Sequence, residues 1–124
     1  MLIFGHDLIK TPSFIFTHRN FRSEKGAIFC FEYDEKQIKE AKKQGVKFAI
    51  FVKEKDEIFL SNALGAEYLI FKDENLAKFG ARAAEFYLFD SKILALVKEL
   101  CHLEKYYEMG VDGVILESFI HLKS

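Results

Sequence analysis

The stretch YYEMGVDGVILES, residues 106–118, reads as a helix end, a tight turn and a buried strand in succession. Nearly the same phrase stands twice upstream, as AKKQGVKFAIFVKE (41–54) and SNALGAEYLIFKDE (61–74). In each, a glycine (Gly45, Gly65, Gly110) follows a helical segment and is separated from an apolar run by two residues. Glycine takes positive φ without steric penalty, so it suits the left-handed position just past a helix end. The wide gap between Gly65 and Gly110 holds one further unit, with KILALV as its strand. The chain is therefore expected to repeat short βα units.

That frame predicts strands at 27–33, 47–52, 67–72, 92–97 and 112–116. All are continuous apolar runs without strict alternation, the pattern of strands buried on both faces of a parallel sheet. Helices are expected at 35–44, 55–64, 74–86 and 99–109. The first has Asp34 as N-cap, Ile38 and Ala41 facing inward, and Lys36, Lys39, Glu40, Lys42 and Lys43 facing water. LIF (2–4) and SFIF (13–16) read as two more short strands, followed by a polar loop at 18–26. The expected fold is a single α/β domain over 1–124. Its parallel sheet of repeated βα units, either a half-barrel or a small layered sheet, is preceded by two short N-terminal strands.

Composition sets the broad class. The chain has 124 residues, 50% of them hydrophobic, with 14 Phe and no Trp, enough for one packed core. Its 18 Lys and Arg are matched by 19 Asp and Glu. This balance argues against a nucleic-acid surface, which needs clustered cations; the one basic patch is THRNFR (17–22). Cys30 and Cys101 form no CxxC pair and are expected as reduced, buried thiols. No run reaches the ~18 apolar residues that a bilayer span needs. The N-terminus lacks the basic region and cleavage site of a signal peptide. A cytoplasmic protein without membrane contact is expected.

Folds of βα units bind ligands beyond the carboxyl ends of their strands. That rule selects GHD (5–7), EYDE (32–35), VKEK (52–55), FKDE (71–74), VKE (97–99) and LES (116–118). Lys53, Lys72 and Lys98 take equivalent places at three strand ends. A lysine there can hold an anion or, with its pKa lowered by burial, form a Schiff base with a carbonyl. Alternatively each snorkels beside Glu54, Asp73 or Glu99, acids well placed on the next helix dipole. His6 can act as a base or ligand at its strand end, and Gly5 permits the turn that would bring Asp7 to the same side; otherwise His6 is a plain turn residue. The candidate ligand-binding set is His6, Asp7, Lys53, Lys72, Lys98 and Glu117. His18, His102 and His121 show no metal-ligand spacing, no serine lies in a GxSxG setting, and Cys101 and His102 adjoin only along a helix. There is no GxGxxG or GxxxxGK[ST] loop. No cofactor or metal is expected.

The segment AKKQGVKFAIFVKEKDEIFLSNALGAEYLIF (41–71) resembles consecutive βα units of phosphate-binding (β/α)8 barrel enzymes such as the sugar-acid aldolases, and GVDGVILES resembles their last strand. A full barrel takes at least about 200 residues, so the resemblance implies at most a half-barrel. It implies phosphate binding at the final turn, where this chain has Glu117 instead of glycine. YLIFKDEN (68–75), with Asp73 near the phospho-acceptor place, and the segment 93–119 are similar to response-regulator receiver domains. There the acidic pair is reduced to Glu32 and Asp34, and Glu117-Ser118 replaces lysine-proline. This second resemblance implies a degenerate receiver, not phosphorylated in the usual way.

With no acid, base and nucleophile assembled, the expected function is a non-catalytic interaction or regulatory module. The alternatives are an aldolase-like enzyme of small phosphometabolites using strand-end lysines, and a degenerate receiver. Expected partners are a second copy of the chain, a protein partner or a small anionic ligand; nucleic acid is not expected.

Overall fold

A computed structural model describes residues 1–18 and 26–122. Its strands are β1 (Leu2–Phe4), β2 (Ser13–Phe16), β3 (Ala27–Glu32), β4 (Phe48–Phe51), β5 (Tyr68–Phe71), β6 (Lys92–Val97), β7 (Gly113–Leu116) and β8 (Ile120–Leu122). The helices are α1 (Glu35–Gln44), α2 (Lys55–Ala63), α3 (Glu74–Tyr87) and α4 (Leu103–Met109), and a 3-10 turn (Glu117–Phe119) joins β7 to β8. All strands are parallel and follow the order β1-β7-β6-β5-β4-β3-β2-β8. From β3 to β7, sequence neighbours are sheet neighbours. This is the order of a barrel; a doubly wound receiver sheet reverses direction after its first crossover. The α/β half-barrel reading holds.

The sheet is curled, and the chain connectivity requires it. β7 and β8 stand six places apart in the strand order, which in a flat sheet is about 29 Å at ~4.8 Å per strand. Only Glu117–Phe119 join them, and the step from Leu116 to Ile120 reaches at most ~14 Å. The two ends of the sheet must therefore approach each other.

Side chains alternate between two cores. Phe29, Phe31, Phe48, Ile50, Leu69, Phe71, Ile93 and Val114 point outward under the helices, against Ile38, Ile58, Ala77 and Ala81. Phe4, Phe14, Ile28, Cys30, Ala49, Ile70, Leu94 and Ile115 fill the concave face. Apolar side chains on both faces explain why these strands read as unbroken apolar runs.

The repeat phrase does its structural work in GVDG. Gly110 ends α4 at φ 83°, as Gly45 ends α1 at φ 69°, conformations costly for any residue with a Cβ. The Asp112 carboxylate accepts the Ile93 N–H at 2.7 Å, and its carbonyl accepts the Leu2 N–H at 2.9 Å. One residue thus ties β1, β6 and β7 together at their amino ends. Gly113 admits β1 closely, since a Cβ there would lie 2.3 Å from the Leu2 carbonyl oxygen.

Two helix starts, those of α1 and α3, carry aspartate caps. Asp34 accepts the Lys36 and Gln37 N–H groups, and Asp73 accepts that of Leu76 at 3.0 Å. α4, which has no side-chain cap, starts at Leu103 instead of residue 99. Residues 98–100 bend, and His102 sits at φ 54°, a left-handed geometry in which it precedes the helix. Glu99 therefore lies outside any helix, and Cys101 is exposed instead of buried; Cys30 is buried as expected. β8 is an addition to the expected strands. The polar loop and basic patch fall mainly on 19–25, outside the described residues. Among the described residues no helix is long and apolar enough to cross a membrane.

Candidate functional site

The concave face is packed at its lower levels and open at the carboxyl ends of the strands, where it forms a cavity of about 540 Å³. Phe16 from β2, Phe51 and Val52 from β4, Ile70 from β5, Leu96 from β6 and Ile120 and Leu122 from β8 supply its apolar wall, with Leu76 of α3 at one side. Inward positions recur every second residue. Phe51 is therefore followed inward by Lys53, Ile70 by Lys72 and Cys30 by Glu32, so the layer above the apolar wall is charged. Glu32, Lys53, Lys72, Asp73 and Glu117 form that rim.

The rim charges differ in how they are held. The Lys53 ammonium and Glu32 carboxylate pair at 2.8 Å, both largely exposed. The hydrogen bond to Glu32 and its charge raise the Lys53 pKa, which keeps the ammonium protonated. The Lys53 backbone N–H is held by Glu57 at 2.9 Å, fixing the turn into α2. Asp73 is occupied as the cap of α3. The side chains of Lys72 and Glu117 make no ion pair or hydrogen bond among the described residues.

Of the residues singled out in the sequence, Lys53, Lys72 and Glu117 come together at this mouth. His6, Asp7 and Lys98 do not line it. His6 lies in the turn after β1, where its Nδ1 accepts the Leu8 N–H at 3.1 Å and its carbonyl accepts that of Ile9 at 3.0 Å. Asp7 is exposed in the same turn, and Lys98 is exposed at the bend after β6. Glu32, selected within EYDE but left out of the candidate set, also stands at the rim, and the apolar wall was not singled out. Among the described residues no three His, Cys, Asp or Glu side chains gather in a metal-ligand arrangement. The site can accept an apolar body and hold charged groups at its rim. Comparison with protein-family models finds no match, and no curated protein matches the chain.

Proposed function

We propose that the protein is a non-catalytic binding module that takes a small, largely apolar ligand into the mouth of its curled sheet. The observation that carries this reading is the 540 Å³ cavity, within the size range of small-molecule sites and placed where βα folds bind ligands. A catalytic role for Lys53 is disfavoured because Glu32 keeps it charged, whereas an imine needs the free amine. The test is titration with an anilinonaphthalene fluorophore. Wild type should give a saturable, one-to-one rise in fluorescence, and Leu96→Trp, which fills the cavity, should weaken it at least tenfold while still melting cooperatively. Equal binding by both proteins would place the fluorophore elsewhere and contradict the reading.

A second copy of the chain is a further proposed partner. Phe86 and Leu88 are 77% and 84% exposed, and Tyr87 and Phe59 are exposed beside them, forming an apolar patch at the α2–α3 end. Sedimentation should show a dimer that Phe86→Asp dissociates; a monomer at about 100 μM wild type, where micromolar association registers, contradicts this part.

A further inference from the structure

We propose that the ligand of this mouth is a small apolar zwitterion, an amino acid or dipeptide with apolar side chains, whose carboxylate meets Lys72 and whose ammonium meets Glu117. The inference rests on the binding reading above and adds the chemical class of the ligand. It follows from accounting for each charge at the rim. Glu32 and Lys53 neutralise each other at 2.8 Å. Asp73 is committed to the first turn of α3 through the Leu76 N–H, beside a helix terminus that favours its charge. Among the described residues, one ammonium and one carboxylate, Lys72 and Glu117, remain without a partner at the edge of this cavity.

A ligand bearing only an anion meets Lys72 but also the unpaired Glu117, and a phosphate multiplies that repulsion. A ligand bearing only an ammonium has the reverse problem. An uncharged apolar ligand leaves both groups partly stripped of water with nothing in return. A zwitterion satisfies both at once, and its apolar part enters the space between Phe16, Phe51, Ile70, Leu96 and Ile120. Both rim groups are exposed, so each contact is screened; the apolar wall supplies most of the affinity and the two charges supply selection.

Calorimetric titration of the full chain with L-phenylalanine, phenylalanyl-leucine, 3-phenylpropionate, phenethylamine and indole tests this. One of the two zwitterions should bind about fivefold or more tightly than either singly charged probe, and the better of the two fixes the length of the ligand. Lys72→Met should erase the margin over phenethylamine, which lacks the carboxylate. Glu117→Gln should erase the margin over 3-phenylpropionate, which lacks the ammonium. Equal binding of zwitterions and singly charged probes, or margins that persist in both variants, overturns the inference and leaves the binding module standing. If no probe binds, indole included, the inference and the binding reading both fall.

Discussion

The Phe4 and Phe14 rings meet edge to face, with centroids 5.1 Å apart, although β1 and β2 stand six places apart in the strand order. Tyr68 of β5 touches both rings, at 5.4 Å each. Three strands distant along the hydrogen-bonded ladder thus share one aromatic cluster, which only a curled sheet permits. The cluster forms the floor beneath the cavity and holds the edge strand β1 in place.

That contact gives the first prediction. Phe4 and Phe14 are buried, so replacing either by alanine should destabilise the fold by about 3–5 kcal/mol. In a double-mutant cycle the pair should show a coupling of about 0.5–1.5 kcal/mol, the usual worth of an aromatic pair beyond its buried area. Additive losses in urea melts would mean that the rings do not bridge the two ends of the sheet.

The repeat phrase gives a graded pair of mutants. Gly110→Ala should cost about 1 kcal/mol through its positive φ. Gly113→Ala should cost more, ~2 kcal/mol or above, because its Cβ overlaps backbone of β1 that cannot rotate aside. Hydrogen exchange at Phe4 should also accelerate in Gly113→Ala and not in Gly110→Ala. Equal costs, with β1 protected in both, would contradict the close packing of β1 on β7.

Among the described residues, every resolved pKa shift is upward. Burial pushes the Cys30 thiol to about 12, and the hydrogen bond to Glu35 raises Tyr33 to about 12. Tyr68 is raised by burial, and Lys53 and Lys105 by their bonds to Glu32 and Glu74. In each case the folded chain keeps its proton to higher pH than the unfolded chain does. The stability linked to these groups is complete below their unfolded pKa values and is lost as pH rises through the folded ones. The urea midpoint should therefore fall between pH 9 and 12. At pH 8, a thiol reagent should modify Cys101 in the native protein and reach Cys30 only after denaturation. A midpoint unchanged at pH 11, or rapid native modification of both thiols, would refute this.

The same electrostatics predict the outcome of imine trapping. Borohydride with pyruvate or a small sugar phosphate should leave Lys53 unmodified, because Glu32 favours its ammonium form. Mass spectrometry finding a reduced adduct on Lys53 or Lys72 would replace the binding module with an aldolase-like enzyme.

Much of this was legible in the sequence, for identifiable reasons. Gly45, Gly65 and Gly110 mark helix ends, and the apolar runs that follow them could be placed to within a residue or two, because a parallel sheet buries both faces of its strands. β8 was not legible: it has three residues, two of them exposed, directly after a 3-10 turn, and it has neither length nor apolar contrast to announce it. The half-barrel alternative already carried the curl, but choosing it over a flat layered sheet needed β8, since the short β7–β8 connection is what brings the sheet ends together. The strand-end rule picks Lys53, Lys72 and Glu117, which line the cavity mouth. Lys98 does not line it, as the chain bends immediately after Val97, and neither does His6, whose ring and carbonyl are used locally in the turn. Phe16, Phe51 and Leu96 look like core residues in sequence. Stepping back two positions from each rim charge, from Lys53 to Phe51 and from Lys72 to Ile70, is the signal that would have found part of the wall.

The most direct test of the central claim is methyl NMR of the full chain titrated with L-phenylalanine, 3-phenylpropionate and indole. The methyls of Ile70, Leu96, Ile120 and Leu122 should shift together and saturably with at least one of these probes, while those of Ile58, Leu69 and Ile93, on the opposite face of the sheet, stay in place. Shifts confined to Leu88 at the exposed patch, or no saturable shift with any probe, would contradict the assignment of the strand-end cavity as the binding site.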